Sequence, residues 1–98
     1  MHRDQIIRKL KDLKTQFETF HVVEVFLFGS AAREETTEGS DIDLLINFSP
    51  DSHVGLFGLA RLQKVIQDTF NCKVDLVTRD ALHPALREKI LREAINVT

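Results

Sequence analysis

The segment Ser40–Phe48, with the sequence SDIDLLINF, combines an apolar strand pattern with two acidic side chains. Ser49-Pro50 ends the apolar run, so residues 41–48 are predicted to form a strand. Side chains alternate along a strand, so Asp41 and Asp43 project from one face, about 6.5–7 Å apart along the backbone. Two neighbouring carboxylates on an apolar strand repel each other. This pattern favours a metal site over a structural role.

Apolar spacing in the rest of the chain predicts alternating helices and strands. The predicted elements are a helix over residues 4–20, a strand over 22–28, a short helix over 31–35, the strand over 41–48, a helix from Ser52 to Phe70 with Asn71 at its C-terminal cap, a strand over 73–77 and a helix that begins at Pro84. The order α-β-α-β-α-β-α predicts an α/β fold with a small sheet in two or three layers. No linker divides residues 1–98, so we expect a single domain.

Composition limits the classes of function. A chain of 98 residues is too short for a catalytic domain plus a separate substrate-recognition domain. Residues 21–56 carry one basic and seven acidic side chains, which argues against direct binding of nucleic acid. The start does not resemble a signal peptide, and no apolar run reaches the roughly 20 residues that a bilayer requires. The single cysteine, Cys72, fits a reducing environment, so we expect a cytoplasmic protein without membrane contact.

The acidic residues suggest magnesium chemistry. Mg²⁺ prefers hard oxygen ligands and completes its shell with water and substrate phosphates, which fits Asp41 and Asp43. Asp75 is also charged within an apolar strand, and it is either a further ligand or part of a buried salt bridge. If its strand neighbours the Asp43 strand, three carboxylates could hold two metal ions.

The dipeptide Gly29-Ser30 follows a predicted strand and precedes a short helix. Free backbone N–H groups at such a turn bind anions, and glycine allows a phosphate to approach closely. The alternative is an ordinary helix cap. The spacing favours the first interpretation, because ten residues separate Ser30 from Asp41 and a triphosphate at Ser30 would face a metal held by the aspartates.

Three segments together resemble a known family: Leu27–Glu34 (LFGSAARE), Ser40–Leu45 (SDIDLL) and Lys73–Thr78 (KVDLVT). They are similar to the minimal nucleotidyltransferase (MNT) antitoxins, which belong to the nucleotidyltransferase superfamily typified by DNA polymerase beta. The likeness runs from Val25 to about Ala94, which is most of the chain.

The resemblance implies a mixed sheet flanked by helices, two Mg²⁺ ions, ATP as donor, and a HEPN-domain ribonuclease toxin as partner. It also implies that the toxin is silenced by adenylylation of a tyrosine. By motif position, Gly29 and Ser30 would hold the triphosphate, and Asp41 and Asp43 would bind the metals. Asp75 would bind the metal nearest the attacking hydroxyl.

The favoured hypothesis is therefore an enzyme that transfers AMP from ATP to a protein hydroxyl. The chain contains no tyrosine, so another protein must supply that acceptor, and the two could form a hetero-oligomer. Two alternatives stay open. One is an antitoxin that binds and masks its toxin without catalysis. The other is a nucleotidyltransferase that modifies a small molecule, which the lack of room for a second domain disfavours.

Overall fold

The structure, a computed structural model, describes residues 2–33 and 42–98. Its helices are α1 (Arg3–Asp12), α2 (Lys14–Thr19), α3 (Gly29–Ala32), α4 (Leu56–Phe70) and α5 (Pro84–Glu93). Its strands are β1 (Val22–Phe28), β2 (Ile42–Phe48), β3 (Val74–Thr78) and β4 (Ile95–Asn96), and a 3₁₀ turn spans Arg79–Ala81. Within the described residues, no helix combines the length and apolar character needed to cross a lipid bilayer.

The four strands form one mixed sheet in the order β3-β2-β1-β4. Strand β1 is antiparallel to both of its neighbours, β2 and β4, whereas β2 and β3 run parallel. The end of β1 and the starts of β2 and β3 therefore meet at the same end of the sheet. A small α/β domain with a mixed sheet flanked by helices is the fold that the sequence predicts, and this prediction is confirmed.

One face of the sheet forms the main hydrophobic core. Alternate residues of β2 point into it, and Ile42, Leu44 and Ile46 are all buried. Helices α1, α2 and α4 cover this face with apolar side chains at helical spacing. These side chains are Ile6, Leu10, Phe17, Leu62, Ile66 and Phe70, and Leu13, between α1 and α2, packs with them.

Two helix ends are formed by residue types that favour those positions. Asn71 adopts the left-handed conformation, with φ of 56°, directly after α4. This conformation ends a helix at low cost for asparagine. Pro84 begins α5, where its missing N–H group would have no helical partner, and the His83 side chain accepts a hydrogen bond from the N–H of Ala85 at 3.2 Å. Both ends were predicted from the sequence.

Several predicted boundaries were wrong by a few residues. The predicted first helix is two helices, because the N–H of Leu13 bonds to Leu10 O in a tighter turn. Helix α3 begins at Gly29, helix α4 begins at Leu56 and strand β3 begins at Val74. Strand β4 was not predicted at all. It has two residues, which is too short to show the alternation by which strands are identified.

Candidate active site

Asp43 and Asp75 lie side by side on neighbouring strands. In the parallel pairing of β2 and β3, Asp43 is the direct partner of Asp75. Residues opposite each other in a sheet project from the same face, and neighbouring strands lie only about 4.8 Å apart. The sequence alone leaves open whether the strand of Asp75 neighbours the strand of Asp43, and the structure shows that it does.

Gly29 stands directly against the carboxylate of Asp43. Its φ of 73° lies in the left-handed region, which favours glycine. A Cβ atom at this position would lie 3.2 Å from Asp43 Cγ and would collide with Asp43 Oδ2. The pairing of Phe28 with Asp43 across β1 and β2 brings the turn to this point. Glycine is therefore required here for both its conformation and its lack of a side chain.

Lys73 is a site residue that the sequence patterns did not indicate. Its ammonium group lies 4.0 Å from Asp75 Oδ1, and the two side chains are 66% and 43% exposed. Asp75 is thus not part of a buried salt bridge, which was the alternative interpretation. Such an exposed pair contributes little stability, and Lys73 places one positive charge beside the Asp75 carboxylate. The available signal was its position two residues before Asp75, which puts both side chains on one strand face.

Ser30 is half-buried in α3, immediately after Gly29. Two distant contacts hold the end of this short helix. Arg3 donates a hydrogen bond to Ala32 O at 3.1 Å, and Arg33 forms an ion pair with Glu93 at 3.0 Å. These contacts join α3 to α1 and α5, so the turn that carries Gly29 and Ser30 is braced from two sides.

The predicted ligand Asp41 lies outside the described residues, as does the segment 34–40. Within residues 2–33 and 42–98, no group of three histidine, cysteine or acidic side chains is arranged to hold a metal ion. The described part of the site contributes two carboxylates, Asp43 and Asp75. One or two carboxylates combined with substrate phosphates is a donor set that suits Mg²⁺. The described residues therefore fit a magnesium–nucleotide site, in which the Asp43 carboxylate lies against the Gly29 turn.

An open groove of about 760 Å³ lies at the other end of the sheet. It lies between the end of β2, the start of α4 and the residues that follow β3, including Phe48, Leu56 and Arg79. Asp43 and Asp75 are not among its lining residues. We assign the candidate site by the chemistry of the carboxylates, because size alone does not indicate a reaction.

Comparison with known families agrees with this geometry. The model of the nucleotidyltransferase domain matches residues 5–97. The chain belongs to the nucleotidyltransferase domain family. It is therefore an enzyme by family, and the similarity carried by three short segments extends over nearly the whole chain.

Two relatives give this nucleotidyltransferase closer context. The chain is 38% identical over 90 residues to the putative protein adenylyltransferase MJ0126 of Methanocaldococcus jannaschii, covering 91% of this chain and 87% of that protein. It is 32% identical over 80 residues to the protein adenylyltransferase MntA of Thermococcus cleftensis, covering 82% and 79%.

Solved structures share the nucleotidyltransferase fold. A structure described as a putative minimal nucleotidyltransferase has a TM-score of 0.83 at 35% identity, covering 97% of this chain and 95% of that chain. A toxin–antitoxin crystal structure with AMP-PNP has a TM-score of 0.75 at 17% identity, covering 92% and 72%. A structure of a tri-AMPylated Shewanella oneidensis HEPN toxin in complex with MNT antitoxin has a TM-score of 0.69 at 15% identity, covering 98% and 71%. The last two similarities concern the fold alone.

Proposed function

We propose that this nucleotidyltransferase transfers AMP from ATP to a tyrosine hydroxyl of a HEPN-domain ribonuclease toxin, and that it acts as the antitoxin of that toxin. The observation that carries the proposal is the in-register pair Asp43–Asp75 beside the Gly29 turn. It combines oxygen ligands for a divalent metal with a glycine turn at the start of α3. The family supplies the reaction class, and the relatives named protein adenylyltransferase support a protein as the acceptor.

Each site residue has a role in this proposal. The hydroxyl of Ser30 and the backbone N–H groups at the start of α3 donate hydrogen bonds to oxygens of the triphosphate. Asp43 and Asp75, together with Asp41, would hold Mg²⁺, with two ions implied by the family resemblance, and the metal would supply positive charge that offsets the developing phosphate charge and favours ionisation of the acceptor hydroxyl. Lys73 lies beside Asp75 and offsets part of the negative charge before the nucleotide binds.

The proposed transfer is a single displacement at the α-phosphorus. The tyrosine oxygen forms a bond to phosphorus, the bond between phosphorus and the bridging α,β-oxygen breaks, and pyrophosphate leaves. The phenolic proton passes to solvent. Asp75 lies on an edge strand with its side chain 43% exposed, so a hydroxyl on the surface of another protein can reach this side of the site.

The acceptor must come from another molecule. The chain has no tyrosine, so it cannot be its own tyrosine substrate. We propose that residues 1–98 act as one catalytic domain and that the toxin supplies both the hydroxyl and part of the cleft, in a hetero-oligomer. Because ATP, Mg²⁺ and an intracellular ribonuclease are involved, the proposed reaction takes place in the cytoplasm, with no direct contact to nucleic acid or membrane by this chain.

Intact-mass spectrometry of a co-expressed HEPN partner from the same genome tests the proposal. In ATP and Mg²⁺, the partner should gain the mass of one or more AMP groups, and the gain should disappear with EDTA or with the Asp43→Asn variant. Replacement of the modified tyrosine by phenylalanine in the partner should also prevent the gain. Free tyrosine should react very slowly, because it is not positioned by a protein surface.

Other outcomes would identify the alternative functions. Equal inhibition of the toxin by the wild type and by Asp43→Asn, without any change of mass, would support masking by binding. Rapid modification of an aminoglycoside by the chain alone would support a small-molecule enzyme.

A further inference from the structure

Strand β3 lies at the edge of the sheet, yet both backbone polar groups of one of its residues are bonded to side chains of α4. Gln63 Nε2 donates to the carbonyl oxygen of Val74 at 2.7 Å. The N–H of Val74 donates to Gln67 Oε1 at 3.1 Å. The Val74 residue itself is fully buried. We call Gln63 and Gln67 the glutamine clamp.

The glutamine clamp supplies hydrogen-bond partners that the sheet does not provide for Val74. The carbonyl of Lys73 faces β2, because it accepts a hydrogen bond from the N–H of Ile42 at 3.1 Å. Backbone groups alternate in direction along a strand, so those of Val74 face away from β2, on a side where the described residues supply no further strand. Under the cover of α4 these groups would lack partners, and an unsatisfied buried polar group is costly.

The two glutamines match this need by position and by chemistry. Residues four apart lie on the same face of a helix, so Gln63 and Gln67 reach the same strand residue. A carbonyl can only accept and an N–H can only donate, which fixes the orientation of both amides. Gln63 must offer its NH₂ group, and Gln67 must offer its oxygen.

The clamp acts on the residue adjacent to Asp75. The partner of Asp75 in the sheet is Asp43, and a slip of β3 by one residue would turn the Asp75 side chain to the opposite face. Strand β3 has only five residues, and in the described part of the chain a single neighbouring strand fixes its register. We propose that Gln63 and Gln67 are positioning residues for the reaction: they hold β3 in the register that keeps Asp75 beside Asp43.

This inference rests on the proposed metal role of Asp43 and Asp75. It requires a hydrogen-bond donor at position 63 and a hydrogen-bond acceptor at position 67. Glutamate in place of glutamine has nearly the same shape and adds the same charge at either position. At position 67 it still accepts from the N–H of Val74. At position 63 it loses the donor and sets a carboxylate against the carbonyl of Val74. The same substitution of glutamine by glutamate should therefore have a larger effect at position 63 than at position 67.

The experiment compares Gln63→Glu and Gln67→Glu in the full chain. The readouts are the Mg²⁺ concentration that gives half of the Tm increase in AMP-PNP, the hydrogen-exchange rate of the Val74 amide, and the rate of AMP transfer to the co-expressed toxin. For Gln63→Glu we expect the half-saturating Mg²⁺ to rise about fivefold, below the roughly 10- to 100-fold typical for a direct partner of a metal ligand. Gln67→Glu should stay within about twofold of the wild type and keep the Val74 amide protected.

The control variant is Thr69→Val, on the same helix, because Thr69 bonds only to Val65 O within α4 among its described contacts. It should leave the Mg²⁺ response unchanged. If Gln63→Glu fails to fold, Gln63→Met removes the donor without adding charge and should give the same rise in half-saturating Mg²⁺. A Mg²⁺-responsive wild type with equal responses in the two glutamate variants would overturn the clamp alone. A wild type with no response to Mg²⁺ and AMP-PNP would overturn the proposed function, and with it the positioning role.

Discussion

The two faces of β2 carry different kinds of side chain. Ile42, Leu44 and Ile46 alternate on the core face and are buried under α1, α2 and α4. On the other face, Asp43, Leu45 and Asn47 stand in three successive rows, and each row continues onto the neighbouring strands. The rows are Asp75–Asp43–Phe28, Val77–Leu45–Phe26 and Asn47–Glu24.

Within the seven residues of β2, one face packs in the core and the other carries the candidate metal ligand Asp43. The core face is uniformly apolar, and its burial fixes the register of β2 in the sheet. The other face changes from acidic at one end, through an apolar middle row, to a polar row in which Asn47 donates to Glu24 Oε1 at 3.2 Å. Because successive side chains point to opposite faces, neighbouring substitutions in β2 should have effects of different kinds.

The largest expected effect is on catalysis, with Asp43→Asn. Loss of one ligand charge should slow AMP transfer by about 1000-fold, which corresponds to about 4 kcal/mol of barrier. Asparagine keeps the shape and the ability to accept hydrogen bonds, so the free energy of unfolding in EDTA should change by less than about 1 kcal/mol.

Mg²⁺ with AMP-PNP should raise the Tm of the wild type and leave that of Asp43→Asn nearly unchanged, since only a competent site gains binding energy on folding. Thermal unfolding with and without EDTA measures both values. A large loss of stability in EDTA would instead indicate a structural aspartate.

The next residue, Leu44, should give the reverse result. Leu44 is fully buried on the core face, and Leu44→Ala should reduce the free energy of unfolding by about 3 kcal/mol through lost contacts and a cavity. Below its Tm, the folded variant should retain most of its transfer rate per molecule. Urea unfolding gives the first quantity and single-turnover kinetics the second. A transfer rate as low as that of Asp43→Asn would show that the two faces are not independent.

Gly29→Ala should affect both properties to an intermediate degree. The left-handed φ costs about 1–2 kcal/mol for alanine, and the added Cβ would displace the Asp43 carboxylate. We expect a loss of about 1–2 kcal/mol in stability together with at least a tenfold slower transfer. Gly55→Ala is the matched control, because a Cβ at Gly55 meets no atom within 4 Å. Similar kinetics for the two variants would remove Gly29 from the site.

Ser30→Ala should give the smallest effect. Loss of one hydrogen bond to a charged phosphate oxygen should cost about 1.5 kcal/mol, or about tenfold in kcat/KM for ATP. The Tm without nucleotide should change little, because the half-buried hydroxyl is not part of the main core. Unchanged kinetics at subsaturating ATP would contradict the proposed role of Ser30.

The sequence predicts the parts of the molecule that local patterns encode. The run over residues 22–28, which is apolar except at Glu24, defines β1 without error, and Asn71 and Pro84 mark helix ends by their own backbone preferences. The spacing of Gly29, Ser30 and the aspartates is a local pattern too, and it indicates the candidate site, although Asp41 lies outside the described residues.

Contacts between distant segments could not be predicted in this way. The clamp joins α4 to β3 through amides that are ordinary on a helix surface in the sequence. Arg3 reaches Ala32, and Arg33 reaches Glu93, across long separations that leave no periodic signal. Lys73 was missed because a single lysine at the start of a predicted strand is common on solvated surfaces.

The short strand β4 is synthesised after the strand that it covers, β1, and this affects the nascent chain. Leu27 pairs with Ile95, and the N–H of Val97 donates to the carbonyl of Val25 at 2.9 Å, so one edge of β1 is covered by residues translated long after it. At about 5–20 residues per second, Ile95 is synthesised on the order of 1–4 s after Asp75. The nascent chain therefore contains Asp43 and Asp75 while β1 still has an open edge, and an open edge invites pairing with other chains.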